Sequence, residues 1–552
     1  MSASSLRSKA RDIVRVGSQI ERLPTFTAAA TRRIEQRAAG DAPPYALMAR
    51  AGEATARLAL ALAPHAGSVR VFAGPGNNGG DGLEAARCLR EWGRAVTVEL
   101  TGDAAALPAD AARALARARE AGVPIDIGRG GASGRDRPGA DGTPGLAIDA
   151  LLGIGASRAP RDVIAEAIGR IAMLHAGGTP VLAVDVPSGL DADVGRPLGE
   201  ACVVASHTLA MLTLKPGLFT AAGRDHAGEV WLAWLHDGDR AEAARPDEAG
   251  NPRAADAEVA AWLVGSAFFR DPMRLRRHAL HKGSFGDVAV VGGAPGMTGA
   301  ALLAARAAQA AGAGRVFVDL GSASDDRPPS LAVDVMHPEL MLRSGWWRSG
   351  AAAESTVVCG CGGGDAVRES LPRLIALAPQ LVLDADALNA IAADTGLQTV
   401  IAARRARGLP TVLTPHPLEA ARLLGRTVDE VQADRLGAAH ELAARLRAIV
   451  VLKGSGTVIA EPEEIAAIAA TGNASLASAG TGDVLAGWIG GRWAASAAAG
   501  GGHPTGEASH ALSIVVRAVV EHGLAAEPLR PGALRAGDLV EALHRLARGA
   551  PA

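Results

Sequence analysis

The sequence predicts two α/β domains, each built around a largely parallel β-sheet. The order strand, glycine-rich turn, helix, strand occurs near Val69 and again near Val288, and this order is typical of parallel sheets. Between the two series lies a charged stretch, residues 236–256, with two prolines and no apolar period. The length of 552 residues also favours two or more domains, at roughly 100–200 residues each.

The elements of the first domain follow from its apolar period. Helices are predicted over residues 27–38 and Ala46–Leu62, and the short apolar run Val69–Ala73 predicts a strand. The helix after the glycine-rich turn places apolar residues at helical steps, namely Leu83, Ala86 and Leu89. Further strands are predicted at 95–100, 146–148 and Val181–Val184, and a polar loop at 128–145.

The second domain repeats this rhythm. A strand at 288–291 leads through a glycine-rich turn into an alanine-rich helix, and a strand follows at 315–320. The remaining strands are predicted at 357–358, 381–383, Thr411–Leu413 and Ile449–Leu452. We expect an N-terminal extension at 1–26, a first domain at 27–235, a linker at 236–256 and a second domain at 257–548.

Composition and charge exclude several classes of protein. Hydrophobic residues make up 48% and charged residues 21% of the chain, so cores form and wholesale disorder is excluded. The net charge of −2 and the aromatic content of 3% argue against a protein that binds nucleic acid or anionic lipid. Four cysteines form no disulfide framework, and Cys359 and Cys361 lack a second pair at zinc spacing. With no apolar run of about 20 residues and no signal peptide, we expect a cytoplasmic protein.

The densest signal in the first domain is the segment GPGNNGGDG at residues 74–82. Its five glycines let the backbone approach a ligand closely, and the helix that follows offers free N–H groups that suit a phosphate. Asn77 and Asn78 add hard amide oxygens, which suit an alkali cation and which a plain dinucleotide-binding turn does not need.

Two carboxylates follow strands of the same predicted sheet. Asp149 precedes a glycine turn, and Asp185 begins the segment DVPSGLDADVG. Because ligands bind beyond the carboxyl ends of strands in open parallel sheets, we expect Asp149, Asp185 and the Asn78 amide to converge. One carboxylate would then do acid/base chemistry while the other helps hold a cation. For Asp149 alone, a helix N-cap stays open as the alternative.

Together with DALLGIG at 149–155 and TLKPG at 213–217, these segments resemble the N-terminal domain of the NAD(P)H-hydrate epimerases over residues 27–235. The resemblance implies a Rossmann-like three-layer α/β/α fold that interconverts the R and S forms of NADHX and NADPHX, the hydrated nicotinamide cofactors. It implies that Asp185 is the acid/base residue and that a potassium ion is held by Asn78, Asp149 and Ser188. The positions that it implies for the hydrate, besides Asp185, are Asn77, Asn78, Gly79, Gly80, Asp81, Gly153, Ile154, Gly155, Ala156, Ser157, Arg158 and Ala159.

In the second domain the densest signal is GTGD at residues 480–483, which opens an apolar helix. Such a turn forms an anion hole from backbone N–H groups, and Asp483 can take a proton from a hydroxyl that is being phosphorylated. A simple helix N-cap is the alternative for Asp483. The segment KGSGT at 453–457 follows a buried strand and can meet nucleotide phosphates, although it is not a Walker motif.

Other polar residues end strands in the same way. His416 lies between two prolines, where it is placed to touch a ligand, although a lone histidine is usually structural. Asp384 and Asp386 supply two carboxylates in a similar position.

These segments, in this order, resemble the ADP/ATP-dependent NAD(P)H-hydrate dehydratases of the ribokinase-like superfamily over residues 256–548. The resemblance implies hydrate contacts at Ala300, Gly364, His416 and Asp483. It implies nucleotide contacts at Lys453, Gly454, Ser455, Gly456, Thr457 and Gly482. One segment departs from the pattern, because GCGGG at 360–364 stands where the family has GPGLG. Whether Gly362 or Gly364 meets the hydrate therefore stays open.

The resemblance also implies a reaction. The terminal phosphoryl group of the nucleotide goes to the hydroxyl of the hydrate while Asp483 removes its proton, and the ring nitrogen then expels phosphate to restore NADH or NADPH. We expect ADP rather than ATP as the donor, with AMP and phosphate as products and magnesium screening the phosphates. The expected partners are thus NADHX, NADPHX and ADP, without nucleic acid or membrane, in a homo-oligomer.

Two other functions stay open at this point. The second domain alone would also suit a small-molecule kinase of the ribokinase-like group, such as a thiamine- or pyridoxine-pathway kinase. The first domain would also suit a non-catalytic interaction or RNA-binding scaffold. The intact set of Asn78, Asp149, Asp185 and Ser188 argues against the scaffold, which need not keep it.

Overall fold

The computed structural model describes residues 13–127, 143–235, 259–269, 278–320, 333–499, 508–529, 532 and 534–548. The chain divides into two compact units: Met1–Gly17 with Leu23–Trp262, and Ser18–Arg22 with Leu263–Ala552. The predicted linker at 236–256 lies outside the described residues, as do most of the predicted loop at 128–145 and part of the extension at 1–26. The predicted domain bounds therefore stay predictions.

The first unit contains an eight-stranded sheet. All neighbouring strands run parallel except the first pair, which is antiparallel. The strands are, in spatial order, Ile13–Val16, Glu229–Ala233, His207–Met211, Val181–Val184, Leu146–Ala150, Val69–Ala73, Val96–Leu100 and Ile125–Ile127. The helices of this unit are Ala28–Gly40, Ala46–Leu62, Asn77–Glu91, Ala109–Glu120, Asp162–Ala176 and Gly223–Ala227.

Alternate residues of the central strands pack against different layers of helices. In strand Val69–Ala73, Val71 belongs to the apolar cluster that includes helix Asn77–Glu91, whereas Phe72 belongs to the cluster that includes helix Asp162–Ala176. Because both faces of the sheet are buried, its central strands are nearly continuous apolar runs. The predicted three-layer α/β/α architecture is confirmed.

The second unit contains nine strands that lie wholly within it. Seven run parallel, and the last two continue the sheet antiparallel. The nine strands are, in spatial order, Met341–Leu342, Arg315–Asp319, Asp287–Val291, Thr356–Cys359, Gln380–Leu383, Thr411–Leu413, Ile449–Leu452, Val458–Ala460 and Ala467–Ala469. Two further strands, Arg22–Phe26 and Val259–Val264, contain two of the three points at which the chain passes between the units, and the third lies between Gly17 and Ser18.

The helices of the second unit cover its sheet. They are Thr298–Ala310, Val367–Leu377, Ala385–Ala392, Thr395–Ala406, Pro417–Leu424, Val428–Ala433, Arg435–Leu446, Thr481–Ala499, Ala508–Ala526 and Ala536–Ala547. No helix in the described part of the chain is both long enough and apolar enough to cross a membrane.

Helix Thr481–Ala499 packs unusually close to its neighbours, and two glycines explain why. A Cβ atom at Gly487 would lie 1.9 Å from the carbonyl oxygen of Ala304, and one at Gly490 would lie 2.5 Å from Val358. Only residues without a side chain fit these contacts. They fix the start of the helix, and with it Asp483, against the sheet.

Candidate active sites

The first unit has a cavity of 670 Å³ beyond the carboxyl ends of its central strands. This is the place at which open parallel sheets bind ligands. The predicted site residues that line it are Asn77, Asn78, Asp81, Gly153, Ile154, Gly155, Ala156 and Asp185. Several segments that are distant in sequence thus meet at one crevice.

The glycine-rich segment shapes the cavity in two ways. Helix Asn77–Glu91 begins at the first asparagine, and no side chain caps it because its N-cap residue is Gly76. Its first turn therefore leaves backbone N–H groups for a ligand. A Cβ atom at Gly74 would lie 1.7 Å from the carbonyl oxygen of Leu151, so this glycine lets the turn approach the neighbouring strand end.

Gly79 and Gly80 are buried inside this helix rather than on the cavity wall. A Cβ atom at Gly79 would lie 1.9 Å from the carbonyl oxygen of Gly74, and one at Gly80 would lie 2.6 Å from Met48. Their contribution is close packing of the helix start. Ser157 and Arg158 are exposed, and neither they nor Ala159 belong to the cavity lining.

Asp185 follows strand Val181–Val184 with a backbone φ of 68°, a left-handed conformation that is costly for a residue with a side chain. Its carboxylate forms an ion pair with the fully buried ammonium of Lys215 and accepts a hydrogen bond from the backbone N–H of Met211 at 3.1 Å. Lys215 also donates to the carbonyl oxygens of Met211 and Thr213, at 2.9 and 3.0 Å. The carboxylate at the cavity wall therefore has a fixed orientation and a fixed counter-charge.

Asp149 is buried in strand Leu146–Ala150 and is held by donors of the protein. Its Oδ1 accepts from the hydroxyl of Ser188 at 2.6 Å and from the N–H of Leu151 at 3.2 Å, and its Oδ2 accepts from the N–H of Ser188 at 2.8 Å. Burial raises the pKa of Asp149 to about 6 although these hydrogen bonds lower it. Because Asp149 lies within a strand, it is not a helix N-cap.

Asn78 lies beside this pair. Its side-chain Nδ2 is buried without a hydrogen-bond partner, and a Cβ atom at Gly153 would lie 3.4 Å from its Oδ1. The residue before that glycine, Leu152, donates its N–H to the Ser188 hydroxyl at 2.8 Å. The ion pairs formed among the described residues do not include Asp149. Hard oxygens next to an unneutralised buried carboxylate fit a potassium ion, which would supply the missing positive charge.

Two further carboxyl groups line the cavity with raised pKa values. Burial, followed by the charges of Asp185 and Glu35, raises the pKa of Asp81 well above its ordinary value. Burial and the charge of Asp185 likewise raise the pKa of Glu35, while Lys215 and Arg32 act in the opposite direction. Both groups are therefore more readily protonated than an ordinary carboxyl group and are candidates to donate a proton.

The second site surrounds Asp483, in the first turn of helix Thr481–Ala499. Asp483 is half-buried, and one ligand atom of Cys361, Asp384 and Asp483 each lies within 4.8 Å of the other two. Burial and the charge of Asp384 raise the pKa of Asp483 to about 6. A carboxylate with such a pKa can both accept and release a proton near neutral pH. Asp483 lies inside the helix, so it is not its N-cap.

Lys453 forms the floor of this site. Its ammonium donates to Oδ1 of Asp384 at 2.7 Å, and the same oxygen accepts from the hydroxyl of Thr414 at 2.8 Å. A Cβ atom at Gly482 would lie 3.2 Å from the ammonium nitrogen, so a phosphate at the start of the Asp483 helix would lie near a positive charge. The proposed nucleotide residues Lys453 and Gly482 are therefore neighbours.

The loop of residues 453–457 is supported from beneath by Arg435, which is buried. Its guanidinium donates to the carbonyl oxygens of Leu452, Lys453 and Gly456 at 3.1, 3.2 and 3.4 Å. A Cβ atom at Gly454 would lie 3.1 Å from this guanidinium. The arginine thus fixes the course of the loop that contains Gly454, Ser455, Gly456 and Thr457.

His416 caps helix Pro417–Leu424. Its Nδ1 accepts from the N–H groups of Leu418 and Glu419 at 3.1 and 3.3 Å, so its proton is on Nε2, which lies 3.2 Å from Oε1 of Glu419. Burial lowers the pKa of His416 and raises that of Glu419 to about 7. The ring has a structural role through one nitrogen and is 45% exposed, which leaves its outer edge accessible to a ligand.

The remaining predicted positions lie around the turn at residues 360–364. Ala300 is in the first turn of helix Thr298–Ala310. Gly364 donates its N–H to Asp386 at 2.9 Å, whereas the carbonyl oxygen of Gly362 accepts from Ala294 at 2.7 Å. Both glycines have positive φ values, of 54° and 57°, so this turn needs glycine at each position.

The sequence reasoning assigned no role of their own to four polar residues near these sites. Glu35 resembles a solvent-facing residue of an amphipathic helix, and Arg435 has no motif around it. Lys215 is the one charged residue in the otherwise apolar stretch 208–218, which marks it as unusual but does not reveal its partner. Cys361 was noticed as half of a cysteine pair without zinc spacing and as a departure from the family pattern, and neither observation predicted its carboxylate neighbours.

The fold and these geometries define a class: a two-domain α/β enzyme that carries a separate carboxylate-based site in each domain. The sequence pattern of the family described as YjeF-related protein N-terminus matches residues 44–217, and that of NAD(P)H-hydrate dehydratase matches residues 288–545. The bifunctional NAD(P)H-hydrate repair enzyme of Escherichia coli is 35% identical over 461 residues, which cover 81% of this chain and 80% of that protein. The corresponding enzyme of Coxiella burnetii is 35% identical over 468 residues, covering 81% and 85%.

Among solved structures, the ADP/ATP-dependent NAD(P)H-hydrate dehydratase from Bacillus subtilis, co-crystallized with ATP and Mg²⁺, is 30% identical. It covers 50% of this chain and 94% of its own, with a TM-score of 0.40.

The chain belongs to the family of bifunctional NAD(P)H-hydrate repair enzymes, in which an epimerase domain is joined to a dehydratase domain. The function predicted from the motifs is confirmed, and the kinase and scaffold alternatives are not supported.

Proposed function

We propose that Asp185 is the acid/base group that interconverts R and S NADHX and NADPHX in the 670 Å³ cavity. The observation that carries this proposal is the position of its carboxylate, which is fixed by Lys215 at the cavity wall and lies near two carboxyl groups with raised pKa values. Groups whose environments push their protonation apart are the expected partners in acid/base catalysis.

Inversion at the hydroxyl-bearing carbon requires its C–O bond to break and to re-form on the other face. The lone pair of the ring nitrogen expels the hydroxyl as water once an acid has protonated it, and a base then deprotonates the water that returns. Asp81 or Glu35 is suited to donate the proton, and Asp185 is suited to accept it. A proton then returns from Asp185 to the donor, directly or through water, before the next turnover. Over this full cycle no proton, water or electron is gained or lost, which suits an isomerisation.

Asn78, Asp149 and Ser188 would hold a potassium ion beside this cavity. When bound, the ion supplies positive charge to the buried Asp149 carboxylate and competes with its protonation. The residues around it then keep the strand end and the 152–154 turn in one arrangement, because Ser188 contacts both Asp149 and Leu152.

In the second unit we propose that Asp483 removes the proton from the hydroxyl of S-NADHX or S-NADPHX as that oxygen attacks the terminal phosphorus of ADP. A P–O bond forms to the substrate, the bond between the two phosphorus groups breaks, and AMP leaves. The lone pair of the ring nitrogen then expels phosphate, which leaves an iminium cation. Loss of a proton from the ring carbon next to the one that carried the hydroxyl, to phosphate or water, restores the carbon–carbon double bond of NADH or NADPH. Backbone N–H groups at 480–482 and the Lys453 ammonium, which lies near Gly482, would stabilise the negative charge that develops on the phosphate.

The residues proposed to hold ADP are Lys453, Gly454, Ser455, Gly456, Thr457 and Gly482, and those proposed for the hydrate are Ala300, Gly364, His416 and Asp483. Magnesium, when bound with the nucleotide, screens the phosphate charge. We prefer ADP to ATP as the donor, and we expect a cytoplasmic homo-oligomer, which light scattering and cell fractionation will test.

One assay tests both domains. A mixture of R and S NADHX is incubated with the full-length protein, Mg²⁺ and either ADP or ATP, and the appearance of NADH is followed by absorbance. Complete conversion is expected, with ADP the better donor. If conversion stops near the S fraction, the proposed epimerase site is wrong; if none occurs, the proposed dehydratase site is wrong.

A further inference from the structure

Three side chains with metal-ligating atoms converge in the second unit. The ligand atoms of Cys361, Asp384 and Asp483 lie within 4.8 Å of one another, and the Cys361 sulfur is 3.9 Å from Oδ2 of Asp384. Cys361 and Asp384 are buried, whereas Asp483 is half-buried. The cluster is therefore closed on the side of the sheet and can be reached from the side of Asp483.

We propose that Cys361, Asp384 and Asp483 form a binding site for a soft divalent cation of the zinc or cadmium type, which blocks the dehydratase when it is occupied. The blocking effect rests on the proposed role of Asp483, whereas the binding does not. A thiolate selects such ions over the hard magnesium ion, which prefers oxygen ligands and retains its water.

The charges of the site match a divalent cation. Lys453 and Thr414 both bond to Oδ1 of Asp384, which leaves Oδ2 directed at the Cys361 sulfur. Two carboxylates and one thiolate, offset by the Lys453 ammonium, leave a net charge of −2 that a divalent ion neutralises. Three protein ligands with a fourth position open to water is a common arrangement for zinc.

Cys361 stands where the resembling family usually has proline, so this site includes a residue at which the chain departs from that pattern. Two residues away, Cys359 is equally buried but is not part of the cluster. The two thiols thus provide a matched pair, because one can bind the ion together with both carboxylates and the other cannot.

The test uses cadmium, whose bond to a thiolate gives an ultraviolet charge-transfer band. Full-length protein without nucleotide is titrated with CdCl₂ as wild type, Cys361→Ser and Cys359→Ser, with circular dichroism as the check on folding. In the wild type and in Cys359→Ser we expect the charge-transfer band to grow until one cadmium ion is bound per chain. In Cys361→Ser we expect the band to be lost. A band that persists in Cys361→Ser, or is absent from the wild type, overturns the proposal. If Cys361→Ser does not fold, Asp384→Asn is used instead and should weaken cadmium binding at least about tenfold.

Activity gives the second readout. Zinc chloride added to the NADH-forming assay should inhibit the wild type and Cys359→Ser at a concentration at least about tenfold lower than it inhibits Cys361→Ser. Cadmium binding through Cys361 without inhibition overturns the blocking effect. If Asp483→Asn keeps its dehydratase activity, the proposed function fails instead, and the cadmium result is unaffected.

Discussion

The two proposed acid/base aspartates are held in opposite ways. Asp185 has a buried lysine, Lys215, in direct contact with its carboxylate. Asp483 has another carboxylate close by, because the lysine of its site, Lys453, forms its ion pair with Asp384 instead. The first aspartate thus has a direct ion pair and a strained backbone position, and the second is a proton acceptor whose pKa is raised to about 6.

This difference suits the two reactions. Epimerisation returns every proton that it takes, so an aspartate held in one orientation, with carboxyl groups of raised pKa nearby, can accept a proton and pass it back. Phosphoryl transfer removes a proton from a hydroxyl only as the bond to phosphorus forms, so a base with a pKa near the working pH is favoured. Both sheets thus place a carboxylate near a strand end or a helix start, but different neighbouring charges give the two carboxylates different environments.

The largest expected effect is that of Asp483→Asn. Removing the base should lower the rate of NADH formation about 10²–10⁴-fold and leave R/S interconversion unchanged, since the two sites are in different units. The rates are measured by NADH absorbance and by chromatographic separation of the epimers. The control is Asp429→Asn, at an exposed position of helix Val428–Ala433. Equal loss of both activities would contradict separate sites.

The Asp185–Lys215 pair should dominate both stability and activity in the first unit. Lys215→Met leaves a buried carboxylate without its partner and should cost about 3–5 kcal/mol of unfolding free energy. The double variant Asp185→Asn/Lys215→Met should recover most of that stability without recovering epimerase activity. Urea unfolding of Asp185→Asn, Lys215→Met and the double variant gives the coupling free energy between the two side chains.

The exposed Lys282→Met serves as the control. If the double variant is no more stable than Lys215→Met, the two residues are not energetically coupled. If it epimerises normally, Asp185 is not the acid/base residue.

Arg435→Met should affect nucleotide binding more than chemistry. The substitution removes the guanidinium that donates hydrogen bonds to three carbonyl oxygens in and next to the loop of residues 453–457. The backbone of the loop is then no longer held in one conformation. We expect KM for ADP to rise about tenfold, which corresponds to a loss of about 1.4 kcal/mol of binding free energy, and we expect a smaller change in kcat. Steady-state kinetics at saturating hydrate checks this, with the exposed Arg445→Met on the same helix as the control. A fall in kcat alone would contradict a role in binding.

How far the sequence predicts these sites depends on the range of the interactions. Strand Val69–Ala73 is apolar because both of its faces are buried, so its position and type were readable. Asp185 follows strand Val181–Val184, as predicted, whereas Asp149 lies inside strand Leu146–Ala150 because that strand extends two residues beyond its predicted end. Both residues lie near the carboxyl ends of central strands. The partners of Asp185 and of the nucleotide loop were not predictable, because Lys215 and Arg435 reach them only through folding of distant segments.

The glycine residues show a second limit of prediction from sequence. The segment at 74–82 reads as a ligand loop from end to end, yet Gly79 and Gly80 are buried in a helix where any Cβ atom would collide. A glycine-rich composition indicates that the backbone lies very close to another group. It does not reveal whether that neighbour is a ligand or the protein itself.

The smallest expected effect is a difference in pH dependence between the two activities. The pKa of Asp483 is raised to about 6, and a base must be deprotonated. Dehydratase kcat/KM should therefore be flat above that pH, halve near it and fall about tenfold for each further unit of acid. Asp149 also has a pKa raised to about 6, but the potassium ion proposed there would compete with the proton. Raising the concentration of KCl at pH 5.5, against NaCl at equal ionic strength, should restore epimerase activity and leave the dehydratase unchanged, because the proposed potassium site is in the first unit.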